Sequence, residues 1–157
     1  MSLASAQAAF DRLTVASAGT PTPARLLGFD DAALLAIGFS RQKARYARAL
    51  ASAVESGALD IDGLADLDDD DVRHALEAMP GIGPWTSSIY LLMVLGRPDV
   101  WPVGDIALAQ ATAEVQGLDH RPGADELRAI GEAWRPWRSV AARLLWHDYL
   151  GRRGRPG

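Results

Sequence analysis

A short segment with two glycines and two flanking prolines is the first part of the chain whose residue types suit ligand binding. It reads Pro80-Gly81-Ile82-Gly83-Pro84 and lies between two predicted helices. Glycines turn tightly and leave successive N–H groups uncovered, so such a turn beside a helix start can hold a phosphate without any lysine. Taken alone, a Gly-Ile-Gly sequence is more typical of an ordinary helix–helix turn, and both interpretations stay open at this point.

Asp105 is the second candidate, because it follows Gly104 at the start of a predicted helix. An aspartate there most often caps the helix with its side chain. The same carboxylate could orient or deprotonate a water molecule, or stabilise a developing positive charge. The positive end of the helix favours a carboxylate, so capping and chemistry are compatible.

Other reactive side chains are few. The chain has no cysteine, which excludes disulfides, zinc–thiolate sites, thiol nucleophiles and iron–sulfur clusters. The three histidines, His74, His120 and His147, are not spaced as a metal motif, and Lys43 is the only lysine. We expect neither a cofactor nor a catalytic metal.

Five tryptophans could form an aromatic pocket. They are Trp85, Trp101, Trp134, Trp137 and Trp146. Indole rings stack on planar ligands and attract cationic faces, although most tryptophans in proteins are packing residues.

The elements that must position these residues are predicted to be helices throughout, with no strand and no internal repeat. Hydrophobic spacing and capping residues predict a first helix from Leu3 that ends before Gly19, and a short one from Pro23. The remaining predicted helices cover about 31–37 after Asp30, 41–55 after Ser40, 70–78, 84–95, 105–115 and 124–134. The chain is expected to bend at Arg135-Pro136 before a final helix that reaches Leu150. Residues 151–157 are expected to form a flexible tail.

Charge argues at first against nucleic acid. The 157 residues carry a net charge of −4, but seven aspartates lie between Asp60 and Asp71, and residues 97–157 carry nine basic against eight acidic side chains. We interpret the aspartate run as a solvated loop with a helix N-cap. The length is that of one ordinary domain or two small lobes, and no apolar run is long enough for a membrane helix, so we expect a cytoplasmic protein.

The order of these motifs resembles one known group. The hairpin glycines, Trp85-Thr86, the loop from Arg97 to Asp105, and Trp134-Arg135-Pro136-Trp137-Arg138-Ser139 together resemble the DNA-3-methyladenine glycosylase II family. That family belongs to the helix-hairpin-helix base-excision DNA glycosylases, and the similarity covers nearly the entire chain. A motif match of this kind predicts a function that structure must confirm.

The resemblance implies a role for each motif. Asp105 occupies the position of the catalytic aspartate, and Trp85 and Trp146 match aromatic residues that stack around the flipped base. The hairpin would bind the DNA backbone through Gly81, Ile82, Gly83 and Thr86, and the carbonyls of Met79 and Ile82 could hold a cation there. Trp101, Trp134 and Trp137 are interpreted as packing residues, and Ile89 and Ile106 stand where tyrosines occur in relatives.

The resemblance also implies an all-α, two-lobed fold. Its helical-bundle lobe would span 1–104, with the helix-hairpin-helix at about 76–95, and its C-terminal lobe would span 105–150. Met1-Ser2-Leu3-Ala4 resembles the end of a turn that follows an additional helix in relatives, so that helix is expected to be missing. Its absence would uncover apolar surface around Leu144, Leu145 and Tyr149.

The predicted function is monofunctional base-excision repair of DNA. The enzyme would flip alkylated purines such as 3-methyladenine out of double-stranded DNA and hydrolyse the N-glycosidic bond. A lysine stands at the position of Trp85 in bifunctional relatives, so no strand cleavage is expected. We expect a monomer in a bacterial cytoplasm, associated with the nucleoid. A catalytically silent hairpin DNA-binding module and a helical protein-interaction domain are the alternatives.

Overall fold

A computed structural model describes residues 3–154, and the side chains from residue 5. Within that range the chain forms nine α-helices and two short 3-10 turns and no strand, which confirms the all-α fold class. The α-helices are α1 Leu3–Ala16, α2 Pro23–Leu27, α3 Asp31–Ile37, α4 Arg41–Glu55, α5 Asp69–Glu77, α6 Pro84–Met93, α7 Ile106–Gln116, α8 Ala124–Gly131 and α9 Arg138–Arg152. The 3-10 turns are Gly63–Asp66 and Glu132–Trp134.

Three helix starts follow directly from local capping residues. The Thr22 hydroxyl accepts from the Arg25 N–H at 3.3 Å, the Asp30 carboxylate from Ala33 at 2.7 Å, and the Ser40 hydroxyl from Lys43 at 3.2 Å. Each bond satisfies one of the N–H groups that have no partner within the helix. The predicted starts of α2, α3 and α4 are therefore confirmed.

The aspartate run also behaves as predicted. The Asp68 side chain caps α5 by accepting from the N–H groups of Asp70 and Asp71 at 3.0 and 2.9 Å. Asp60 caps the first 3-10 turn through the Gly63 N–H at 3.0 Å. Most of the run is exposed, so it is a solvated, capping segment.

Three helix ends differ from the prediction. α6 ends at Met93 instead of Leu95, and α8 ends at Gly131, after which Glu132–Trp134 tighten into a 3-10 turn. The Trp101 ring lies so close to Gly131 that a Cβ there would be 2.7 Å from it. This packing comes from a distant part of the chain, and local spacing cannot predict it. The final helix reaches Arg152, and residues 155–157 of the predicted tail lie outside the described residues, as do Met1 and Ser2.

The helices form two compact units. The first comprises residues up to 67 together with 77–81, and the second comprises 68–76 and residues from 82 onward. The predicted division into a lobe of residues 1–104 and a lobe of residues 105–150 stays a prediction.

In the first unit, α1, α3 and α4 share a small apolar core. Its buried residues are Leu13, Leu34, Ile37 and Ala44, and Leu26, Phe29 and Phe39 pack against them. In the second unit, α7 packs along α9. Leu91, Leu92, Leu108, Leu127 and Ala142 are fully buried there, and burying each leucine contributes roughly 2 kcal/mol. This core fixes the mutual positions of α6, α7 and α9.

Candidate active site

The candidate site is built on the loop from Arg97 to Asp105, which is tied to the start of α9 through Ser139. The buried Ser139 hydroxyl donates to the Arg97 carbonyl at 2.6 Å and accepts from the Val100 N–H at 2.9 Å. The Ser139 N–H donates to the Pro98 carbonyl at 3.0 Å. One small side chain therefore fixes the first half of the loop.

A second connection joins the same loop to α9 through Arg138. Its guanidinium forms two bonds to the Asp99 carboxylate, at 2.7 and 3.0 Å, and a third to the Asp99 carbonyl at 3.0 Å. It also pairs with Glu132 at 3.1 Å. The hydrogen bonds from Arg138 hold the pKa of Asp99 below its ordinary value. Paired arginine–carboxylate bonds are geometrically specific, so this contact orients the loop as well as anchoring it.

The loop ends at Asp105, whose carboxylate accepts three hydrogen bonds. Oδ1 caps α7 by accepting from the Leu108 N–H at 2.7 Å, and it also accepts from the Trp146 indole N–H at 3.1 Å. Oδ2 accepts from the Trp85 indole N–H at 3.1 Å. The structure thus brings together the three residues that the sequence analysis assigned to catalysis and base binding.

Capping occupies only part of this carboxylate. An ionised carboxylate offers about four lone-pair positions, so three bonds leave one of them, on Oδ2, open. Within the described part of the chain, no arginine, lysine or histidine forms an ion pair with Asp105. Asp105 is half-buried, and its charge is held in place by neutral donors only.

Two helices place the indoles. Trp85 follows Pro84 in the first turn of α6 and is 47% exposed. Trp146 lies on α9 and is half-buried. The Arg143 guanidinium, on the same helix, donates to the Leu92 carbonyl near the end of α6 at 2.9 Å. α9 therefore contacts α6, the loop and Asp105.

The other tryptophans divide into two groups. Trp101 is buried, donates to the Leu127 carbonyl at 2.8 Å, and lies 5.1 Å from the Trp134 ring, as expected for packing residues. Trp137 is 61% exposed, so the interpretation of this residue as a packing residue is wrong. It borders an apolar groove of about 470 Å³ with Val140 and Leu144. Of the apolar surface expected there, Leu144 is 63% exposed, whereas Leu145 is buried.

The two hairpin glycines, Gly81 and Gly83, differ in backbone conformation and in the space available for a side chain. Gly81 has a φ of +88°, and a Cβ there would lie 2.2 Å from the Tyr46 ring. Gly83 has an ordinary extended conformation, and a Cβ there would meet nothing within 4 Å. Only Gly81 is required by the fold itself.

The hairpin backbone has donors to offer. Among the described residues, no hydrogen bond uses the N–H of Gly81, Ile82 or Gly83. Gly81 and Thr86 are exposed, and Ile82 and Gly83 are half-buried. These three N–H groups are therefore available to an external acceptor such as a phosphate oxygen.

Sequence reasoning missed three supporting residues. The roles of Asp99, Arg138 and Ser139 were not predicted, although the last two belong to the Trp-Arg-Pro-Trp-Arg-Ser segment that carries the resemblance. Arg121 was also missed. It lines a small cavity of about 120 Å³ with Asp105 and Ile106, and apart from Asp105 it is the only charged residue among those lining it.

The described residues contain no group of three or more His, Asp or Glu side chains able to hold a metal ion. The cation expected on the carbonyls of Met79 and Ile82 stays a prediction. Within the described range, no helix is long and apolar enough to span a bilayer.

A family model decides the relationship of this chain to known proteins. The model of the HhH-GPD superfamily of base excision DNA repair proteins matches residues 1–136. The chain belongs to this superfamily. The family predicted from the hairpin, the loop and the Trp-rich segment is confirmed.

Individual members of the HhH-GPD superfamily align over most of the chain. DNA-3-methyladenine glycosylase 2 of Escherichia coli is 31% identical over 127 residues, which are 81% of this chain and 42% of that protein. A DNA-3-methyladenine glycosylase of Bacillus subtilis is 30% identical over 105 residues, 67% of this chain and 35% of that protein. The chain thus spans less than half the length of these relatives.

Solved structures of HhH-GPD relatives share the fold. A DNA-3-methyladenine glycosidase from Bacillus halodurans has a TM-score of 0.81 at 33% identity, covering 95% of this chain and 69% of that one. The 3-methyladenine DNA glycosylase Mag1 of Schizosaccharomyces pombe, in complex with abasic DNA, has a TM-score of 0.87 at 27% identity, covering 93% and 72%.

Proposed function

We propose that the protein is a monofunctional DNA N-glycosylase that removes alkylated purines such as 3-methyladenine from double-stranded DNA. The observation that carries the proposal is the Asp105 carboxylate, which accepts from the indole N–H groups of Trp85 and Trp146 and has no cationic partner among the described residues. Membership in the HhH-GPD superfamily and relatives named as 3-methyladenine glycosylases support the same conclusion.

Asp105 would act on the sugar of the damaged nucleotide. When the N-glycosidic bond breaks, the base leaves with the bonding electrons and positive charge develops on the deoxyribose. A fixed carboxylate stabilises that charge more strongly in a partly desolvated site than in water. Its open Oδ2 position can also accept a proton from the water that attacks the anomeric carbon.

The indoles would receive the flipped base. An alkylated purine such as 3-methyladenine carries positive charge before excision, and electron-rich rings attract a cationic face. Trp85 offers an exposed ring beside the Asp105 carboxylate, and its indole N–H donates to Oδ2. The indole N–H of Trp146 donates to Oδ1, the other oxygen of the same carboxylate. Ile89 and Ile106 are apolar where relatives have tyrosines, so we expect selectivity for alkylated bases to rest mainly on the two tryptophans.

The hairpin would hold the DNA backbone. The free N–H groups of Gly81, Ile82 and Gly83 can donate to phosphate oxygens, and such contacts carry no sequence information. Binding through backbone donors is compatible with a protein of net charge −4.

The lysine content supports the proposed absence of lyase activity. Strand cleavage by this fold requires an amine that forms a Schiff base with the sugar. The only lysine, Lys43, lies on α4, far from Asp105 in the sequence. The position beside Asp105 is occupied by Trp85, whose indole nitrogen cannot form a Schiff base.

Product analysis tests this proposal. Incubation with a duplex containing 3-methyladenine should release the free base and leave an unbroken abasic strand, with no protein–DNA adduct after borohydride treatment. An identically purified Asp105→Asn variant controls for host glycosylases. Strand nicking or a trapped adduct that accompanies the purified protein would overturn the monofunctional assignment, and no release from any alkylated duplex would overturn the glycosylase assignment.

A further inference from the structure

The first two turns of α4 carry a concentration of positive charge. Arg41, Lys43, Arg45 and Arg48 follow one another within eight residues, and the first turn contains no acidic residue. These four residues are a quarter of all basic side chains in a protein of net charge −4. Arg41, Lys43 and Arg45 are exposed.

This arrangement opposes helix stability. The N-terminal end of a helix is its positive end, so cations there are unfavourable. Arg41 and Arg45 are four residues apart on one helix face, where like charges repel by a few tenths of a kcal/mol. An acidic residue in the first turn of α4 would reduce this cost. The first turn of α5 contains three aspartates, whereas that of α4 contains no acidic residue.

Intramolecular pairing neutralises only one of the three arginines. Arg48 pairs with Asp31 at 3.2 Å. Within the described part of the chain, Arg41 has no hydrogen bond or ion pair, and Arg45 has only a contact of 5.7 Å with the centre of the Tyr46 ring. Two guanidinium groups therefore keep all their donors for an external partner.

The three arginines line one cavity. Together with Leu35, Ala44 and Asp31 they surround a groove of about 340 Å³ in the first compact unit. Three arginines face a single carboxylate there, and that carboxylate already pairs with Arg48. The excess positive charge and the planar guanidinium donors match a phosphate group.

The groove is connected to the hairpin through α4. Tyr46, the neighbour of Arg45, packs on Gly81 so closely that no side chain fits there, and the Gln42 amide donates to the Tyr46 hydroxyl at 2.9 Å. The same two turns of α4 thus support the hairpin turn and carry the unpaired arginines.

We propose that Arg41 and Arg45 form a second phosphate-binding site, which holds the backbone of duplex DNA that is bound by the hairpin. This inference rests on the proposed function, because it requires the hairpin to bind DNA. The site adds charge-assisted contacts to a protein whose total charge is unfavourable for DNA, and it has no role in choosing the base.

The salt dependence of DNA binding tests the site. Dissociation constants are measured on an undamaged duplex and on a duplex with an abasic-site analogue, over a series of salt concentrations, for the parent and for Arg41→Gln/Arg45→Gln. The double variant should bind both duplexes roughly tenfold more weakly, and the slope of log K against log salt should become shallower by about 1.8, or 0.9 per lost contact. The Arg41→Lys/Arg45→Lys variant should retain most of the slope.

A control variant separates this site from bulk charge. Arg25→Gln/Arg152→Gln changes the net charge equally, but Arg25 already donates to the Thr20 carbonyl and Arg152 pairs with Glu114 and Asp148. Its slope should match that of the parent. The melting temperature of Arg41→Gln/Arg45→Gln should equal or exceed the parent value, because removing like charges relieves repulsion; a lower value would assign the arginines to the fold and contradict the site.

The outcomes distinguish the two proposals. If the parent binds and excises but the Arg41→Gln/Arg45→Gln variant keeps the parent slope and affinity, the second phosphate site is wrong and the glycosylase proposal stands. An equal loss in the control variant would also contradict the site. If the parent itself shows no salt-dependent DNA binding, the proposed function fails first.

Discussion

The loop from Arg97 to Asp105 carries two carboxylates with opposite surroundings. Asp99 forms an ion pair with Arg138 at 2.7 Å and accepts a second bond from the same guanidinium. Asp105, at the other end of the loop, accepts from two indole N–H groups and one backbone N–H, and none of these donors carries a charge. Both carboxylates are partly buried, so burial does not distinguish them.

The two carboxylates differ in the charge of their hydrogen-bond donors, and this difference assigns a structural role to Asp99 and a reactive role to Asp105. Arginine cancels most of the field of Asp99, so that side chain can fix the loop but cannot stabilise a cation on a substrate. Neutral donors hold Asp105 in position without cancelling its charge, which leaves the field available to a sugar that becomes positive.

The largest effect on stability is expected from Arg138→Met. It leaves Asp99 half-buried without its paired guanidinium and removes three bonds that orient the loop. We expect the free energy of unfolding to fall by about 2 kcal/mol, less than for a fully buried pair, because Asp99 is 26% exposed. Urea unfolding measures the change. Arg128→Met is the control, since Arg128 pairs with the exposed Asp125 and with no other carboxylate in the described part of the chain.

Acid should remove the stabilisation that the Arg138–Asp99 pair gives to the folded state. The hydrogen bonds from Arg138 lower the pKa of Asp99 below its ordinary 3.8, so the stabilisation is complete above about pH 4 and is lost as the pH falls through the folded-state pKa. The difference in unfolding free energy between the parent and Arg138→Met should therefore shrink below pH 4. A difference that widens on acidification would contradict the role assigned to Asp99.

A smaller effect is expected from Trp85→Phe. The change keeps an aromatic ring but removes the N–H that binds Oδ2 of Asp105. Single-turnover excision should slow about tenfold, since a hydrogen bond to a charged group contributes about 1.5 kcal/mol. Trp137→Phe replaces a tryptophan that is also exposed and should leave the rate unchanged. Equal rates for the parent and Trp85→Phe would show that the indole N–H does not position the carboxylate.

The sequence predicted the features that depend on neighbouring residues. Asp30 and Ser40 cap their helices through residues three positions away, and a local pattern suffices to find them. Asp105 was located by its place after the hairpin, and its capping bond to Leu108 is equally local.

Features that depend on distant residues were missed or wrong. Asp99 and Arg138 are 39 positions apart, and no single-sequence pattern indicates that they pair. The Trp101 ring packs against Gly131, where α8 ends, and this is a tertiary contact. The exposure of Trp137 was not predicted either, because a tryptophan in a Trp-rich segment has the same local pattern whether its ring is buried or exposed.

The most direct test is to measure unfolding and excision in the same Asp105→Asn variant. Asparagine caps helices about as well as aspartate, so the free energy of unfolding should change by less than about 1 kcal/mol. The charge is lost, so single-turnover excision of 3-methyladenine should fall by roughly 100-fold or more. An excision rate within about threefold of the parent, a difference of under ~1 kcal/mol, would show that Asp105 serves only as a helix cap and would contradict its catalytic role.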